Sequence, residues 1–347
     1  MHMGVSVPTA AQLGRVSPGR VTITGSRVAL GGVTVAFGVA ADLGATPEFR
    51  TQMIIYLVGM VALNLPHGGY EHFTNLRDRG IPFGGRYVGL YAGFITAFVG
   101  LFLVAPTIAL GLGFATAVAK GGHGDLRVMD ALVGTDHLQS RPQRWLAALI
   151  RGGVVMVVPL VFWTDTFYSF TMLMISVFGV DAAGLITGSS LPIVRTLGGL
   201  FAVGVVAHVG LGFAAGGACR SWVQDTVETL LLIVYFAVVP VVVSIGLYFP
   251  LWYSVRQSGR SIAVSRRSDE TADGLPVWKA WGALVGGAFV TASVAAGLWV
   301  VAPNPLAQMS LLPGLVAFYT IFICVIALPH VVVGEWLDFG RGIWHVP

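Results

Sequence analysis

Apolar residues run almost unbroken for long stretches of this chain, and polar and charged residues gather in the intervals between them. Since roughly 20 apolar residues make one membrane crossing, the pattern predicts crossings over 27–44, 51–66, 86–104, 146–163, 195–215, 227–250, 279–302 and 311–333. Two shorter runs, 106–119 and 167–178, read as short helices, re-entrant segments or continuations of a neighbour broken at Pro106 and near Thr164. No ten-residue windows alternate apolar with polar positions. Backbone groups in lipid must find partners internally, so the expected fold is all-α: a polytopic helical bundle of about 8–10 transmembrane helices.

The intervals carry the remaining organisation. Residues 1–26 are polar and lack the apolar core of a signal peptide, so they read as a cytoplasmic tail. Residues 27–347 form one transmembrane domain, within which 251–278, rich in Ser, Arg and Asp, reads as a flexible cytoplasmic loop. The segment 120–145 mixes Gly, Asp and His with Leu, Val and Met and reads as ordered, with a short helix over about 126–133. Counting ten crossings, Arg20, Arg77, Arg79, Lys120, Arg127, Arg141, Arg195, Arg256 and Arg260 fall on one side, which places both termini on the cytoplasmic face of a cell membrane.

Composition sharpens this picture. Only 10% of the 347 residues are charged and 55% are hydrophobic, with a mean hydropathy of +0.80; an ordinary soluble domain has about a quarter charged residues. The net charge of +4 is spread over several loops and forms no basic patch, which leaves no nucleic-acid footprint. Cys219 and Cys324 lack the paired spacing of zinc sites or disulfide frameworks.

Ionisable side chains at the edges of apolar runs are candidates for function. Leu65-Pro66-His67-Gly68-Gly69-Tyr70-Glu71-His72 offers two imidazoles and a carboxylate. On a helix Glu71 shares the face of His67, whereas His72 does not. His123 lies in Gly121-Gly122-His123-Gly124-Asp125, either a metal-ligating segment or simply a turn. Tyr253, Gln257 and His330 complete a set that the topology brings to cytoplasmic helix ends, where one site is geometrically possible. Clustered imidazoles in a dry site suit Fe, Zn or Cu. The structurally bland reading differs by residue: His67 caps a helix end, His137 is solvated, His208 is bonded to a neighbouring helix, and Asp165 and Asp225 hold helix ends. Phe162, Trp163, Phe167, Tyr168 and Phe170 either line a polyene channel or form an interfacial aromatic belt.

Taken in order, Leu65-Pro66-His67-Gly68, Glu71-His72, Gly124-Asp125-Leu126, the Tyr248-Phe249 to Arg260 segment with Trp252, Ser254 and Arg256, and Leu328-Pro329-His330 resemble the Brp/Blh family of membrane-embedded β-carotene 15,15′-dioxygenases. The resemblance runs from about residue 50 to the C-terminus. It implies a non-haem Fe(II) cofactor, O2 and β-carotene as reactants in membrane lipid, and retinal as product, with a microbial opsin as a possible recipient. His67 matches the first of the family's iron ligands. Lys120 stands at the second, with His123 the nearby imidazole, and Tyr253 and Gln257 stand at the third and fourth. One implied arrangement holds iron with His67, His123 and some of Glu71, His72 and His330, while Tyr253 and Gln257 orient dioxygen or polyene. The other is a metal-free relative that binds carotenoid or retinal in support of an opsin.

Overall fold

Prolines and glycines decide where these helices start, break and touch. The computed structural model describes residues 18–64, 85–179, 190–268 and 277–337, and among them there is no strand. The elements in order are α1 (Pro18–Asp42), α2 (Phe49–Leu57) with a π-helical extension (Val58–Asn64), α3 (Gly85–Val104), α4 (Pro106–Leu132), α5 (Arg141–Phe162) and α6 (Thr164–Ser176). There follow α7 (Ser190–Gly216), α8 (Arg220–Val238), α9 (Val241–Tyr248), a second π-helical stretch (Phe249–Ser254), α10 (Val255–Ser268), α11 (Val277–Val301) and α12 (Leu311–Leu337).

Among the described residues, six helices are long and apolar enough to cross a membrane: Val21–Asp42, Gly85–Val104, Arg141–Phe162, Leu191–Gly216, Arg220–Val238 and Leu311–Pro329. Shorter apolar helices cover Phe49–Val61 and Phe289–Val301. Leu200, Val203 and Val206 on α7 face outward, as lipid-contacting residues should. The protein is therefore a multi-pass, all-α membrane bundle. One apolar core joins α3, α4, α6, α11 and α12 through Phe98, Phe102, Leu110, Ile175, Leu298 and Phe322. A second joins α1, α5, α8 and α9 through Leu30, Val154, Val158, Leu232, Phe236 and Val243.

Four sequence expectations change. The first helix starts at Pro18, inside the stretch read as a tail, and Thr22 and Ser26 donate to the carbonyls of Gly19 and Ile23. The short run 106–119 is the first half of a 27-residue helix: Pro106 occupies its first turn, where a missing N–H costs nothing. The expected crossing 227–250 is broken by Pro240, which cannot continue α8. The expected flexible loop from 251 is helical as far as Ser268, because Trp252, Tyr253 and Arg256 pack inward.

The middle of α4 explains why Gly121-Gly122-His123-Gly124 is helix rather than turn. A Cβ on Gly122 would strike the Ala148 carbonyl of α5, and one on Gly152 would strike the Val118 carbonyl of α4. Glycine's usual helix penalty is offset by close approach of two backbones. Helices α2 and α9 meet in a similar way, since a Cβ on Gly246 would lie 2.6 Å from Tyr56 Cα. Helix α5 itself opens with a capping box, in which the Gln143 N–H donates to Ser140 Oγ and the Ser140 N–H to Gln143 Oε1 at 2.9 Å.

Gly152→Ala is expected to cost about 1–3 kcal/mol by forcing α4 and α5 apart, lowering the thermal unfolding midpoint in detergent micelles. Gly199→Ala, whose added Cβ meets nothing within 4 Å, should not lower it.

Candidate active site

Arg151 lies in the middle of α5 with its guanidinium fully buried. A guanidinium offers five N–H donors in a planar fork, and here they are shared among three carboxylates. Nε donates to Asp125 Oδ2 at 2.8 Å, one terminal nitrogen to Asp225 Oδ1 at 2.5 Å, and the other to Glu228 Oε2 at 2.6 Å. Arg256 donates to Glu228 Oε2 at 2.8 Å and lies against Asp125, while its guanidinium stacks 4.1 Å from the Trp252 ring centre. Arg27 reaches Glu228 Oε1 at 2.7 and 2.9 Å. Three arginines thus meet three carboxylates, and the formal charges cancel.

Asp225 is completed by two histidines, His137 Nε2 at 2.8 Å and His208 Nε2 at 3.0 Å from Oδ2. A carboxylate accepts, so each Nε2 carries a proton, and His137 Nδ1 lies within hydrogen-bond distance of Ser221 Oγ at 3.1 Å. This corrects two expectations. His137 is buried rather than solvated, and Asp225 anchors a charge cluster rather than a helix end. His208 does bond to a neighbouring helix, as expected. Sequence reading passed over Arg151, although an arginine inside an apolar run must find partners when buried, and that signal was present.

The cluster borders the expected site. Asp125 follows Gly124, and Arg256 precedes Gln257. The Gln257 amide donates to the Gly124 carbonyl at 2.8 Å, and a Cβ on Gly124 would lie 2.7 Å from both Gln257 Nε2 and Tyr253. Lys120 Nζ sits 5.4 Å from the Tyr253 ring centre. Positions 120, 124, 253 and 257 therefore converge. The His123 ring meets Trp145 edge-on at 6.1 Å. His330 lies in α12, two helical turns beyond Ile323. His67, Glu71 and His72 lie outside the described residues.

Below this polar end lies an apolar cavity of about 60 Å³. Its wall includes Tyr56 and Met60 from α2 and its extension, Phe114 and Ala117 from α4, Met156 from α5, Phe249 from the second π-helical stretch and Ile323 from α12. Phe167 and Phe170 also line it, whereas Phe162 faces outward, so the aromatic cluster is split between cavity and surface. Tyr253 packs edge-on against Phe249 at 6.2 Å. Continuing the wall helices past the cavity leads from Ala117 to Lys120, from Phe249 to Tyr253 and Gln257, and from Ile323 to His330.

The family model for β-carotene 15,15′-dioxygenase matches residues 58–338. The chain belongs to the β-carotene 15,15′-dioxygenase family. Two strains of Halobacterium salinarum, R1 and NRC-1, have proteins named "Probable beta-carotene 15,15′-dioxygenase Brp" that are 50% identical to it over 95% of both chains. A third relative, "Probable beta-carotene 15,15′-dioxygenase Blh" of strain NRC-1, is 30% identical over 93% of this chain and 95% of its own. No solved structure matches.

The dioxygenase resemblance implies iron, and the described donors do not fit it. At the implied positions stand a lysine amine, a phenol and an amide whose N–H is committed to a backbone carbonyl. Among the described residues no group of three or more His, Cys, Asp or Glu is arranged to hold a metal; the buried carboxylates are turned on arginines instead.

Arg151→Leu is expected to lose about 3–5 kcal/mol, because three carboxylates would lose their shared counter-charge inside the bundle. Thermal unfolding of the purified protein, followed by tryptophan fluorescence, measures this. Arg151→Lys, which keeps the charge but not the fork, should fall between the two.

Proposed function

We propose that this chain is a membrane oxygenase that cleaves β-carotene, or a closely related carotenoid, at its central double bond with O2 and releases retinal. The single observation that carries the reading is the apolar cavity whose wall segments run on to Lys120, Tyr253 and Gln257, in a chain whose relatives bear that enzyme's name. The chemistry asks little of acids or bases: one oxygen atom goes to each carbon of a C=C bond, and two aldehydes result. The protein has to seat the polyene, keep water away and fix the reacting carbons. The cavity walls are apolar and rich in aromatic and methionine side chains, which suit a conjugated chain and can repack around it. At its present volume it is smaller than a carotenoid, so substrate arriving from the lipid spreads these walls.

Tyr253 and Gln257 orient the polyene or dioxygen at the polar end. His67, the position that matches the first of the family's iron ligands, is assigned to act with Tyr253 and Gln257 on that motif alone. Following the arginine distribution, both termini and the segment after α10 lie in the cytoplasm, in the cell membrane, where an opsin could take up the product.

The second reading, a metal-free carotenoid or retinal carrier supporting an opsin, is favoured by one observation, the absence of imidazoles at positions 120, 253 and 257. Expression in cells that accumulate β-carotene separates the two: the oxygenase turns orange cells pale with retinal formed, and the carrier leaves them orange. Under the oxygenase reading, His67→Ala abolishes retinal formation with membrane insertion intact. Ala117→Trp, which fills the cavity, lowers it by about tenfold or more.

A further inference from the structure

Lysine occurs at only two positions in the 347 residues, Lys120 and Lys279, although the chain carries 18 arginines. Wherever a positive charge alone is needed, then, this sequence nearly always uses arginine. Lys279 lies at the start of α11. Lys120 lies on α4, three residues and about 60° around the helix from the cavity-lining Ala117. Its amine is held over the Tyr253 ring, and Tyr253 packs on the cavity-lining Phe249. A primary amine thus stands about one helical turn beyond the lining of an apolar cavity. An arginine at 120 would make the same cation–π contact, yet its guanidinium keeps its protons and cannot condense with a carbonyl.

We propose that Lys120 captures a carotenoid-derived aldehyde, retinal in the first instance, as a Schiff base. The inference rests on the carotenoid-cleaving reading for its source of aldehyde. The neutral Nζ lone pair adds to the aldehyde carbon to give a carbinolamine. Loss of its hydroxyl group with a proton as water leaves the C=N bond, so amine and aldehyde give imine and water with no change in oxidation state. Tyr253 presents its ring face to the nitrogen and stabilises the positive charge of the protonated imine. Water entering from the polar end reverses the reaction, so the linkage retains the product inside the bundle until it is hydrolysed.

The test uses the full-length protein, purified in detergent from cells without carotenoid and mixed with one equivalent of all-trans-retinal. Borohydride then fixes any imine as a secondary amine, and peptide mass mapping locates it. The expected result is a retinyl adduct on the peptide containing Lys120, with a red-shifted absorption band before reduction. Lys279→Arg should keep the adduct, and Lys120→Arg should lower it by at least about tenfold, since arginine cannot form it. An adduct on Lys279 instead, equal labelling of both lysines, no adduct, or an unchanged amount in Lys120→Arg overturns the proposal; the wild-type map decides even where a variant fails to fold. Because retinal is supplied directly, the result is independent of carotenoid cleavage. An adduct without cleavage in β-carotene-producing cells retains the capture site and removes the oxygenase, and cleavage without an adduct does the reverse.

Discussion

The guanidinium of Arg151 is sealed from water, so its charge must be answered entirely by other side chains. Asp125, Asp225 and Glu228 answer it, and Arg27 and Arg256 in turn neutralise the carboxylates that Arg151 alone would leave in excess. Such a cluster adds little net stability over an apolar core, because desolvating six charges offsets most of their attraction. What it does is penalise every arrangement but one. Removing any member strands a charge, so α1, α4, α5, α8 and α10 are held in a single register, and α7 is tied in through His208.

That register is what places the candidate site. Gly124 and Asp125 are neighbours on α4, as are Arg256 and Gln257 on α10. The contact that fixes Asp125 opposite Arg256 also sets the Gly124 carbonyl against the Gln257 amide. Trp252, buried beneath the Arg256 guanidinium, extends the same constraint into the π-helical stretch that carries Tyr253. The same constraint leaves Tyr253 and Gln257 little freedom, and Lys120 is packed over the Tyr253 ring.

The close α4–α5 contact serves the same arrangement. Gly122 and Gly152 let the two backbones meet where Asp125 and Arg151 must reach each other. Small residues are a general device for packing membrane helices, where lipid is as apolar as leucine and hydrophobicity alone does not bring helices together. Here they have a second consequence, since they carry α4 unbroken through a Gly-rich stretch that in isolation looks like a turn.

Much of the architecture was legible in the chain itself. The hydropathy pattern specified an all-helical membrane bundle and located most of its spans, because the lack of water in lipid acts on each segment separately. The order of the Pro-His-Gly, Gly-Asp-Leu and Trp-x-Ser-x-Arg motifs pointed to the family, and the polar character of His208 within an apolar span marked it as bonded to a neighbour. What the sequence could not determine was pairing. Arg151 finds partners 26, 74 and 77 positions away, and Arg27 finds Glu228 across 201. A buried charge announces that it needs a counter-charge, but only the packing of helices decides which one is within reach. For the same reason His123, adjacent in sequence to Gly124, points to Trp145, while Gln257, 133 positions away, is the residue that meets Gly124.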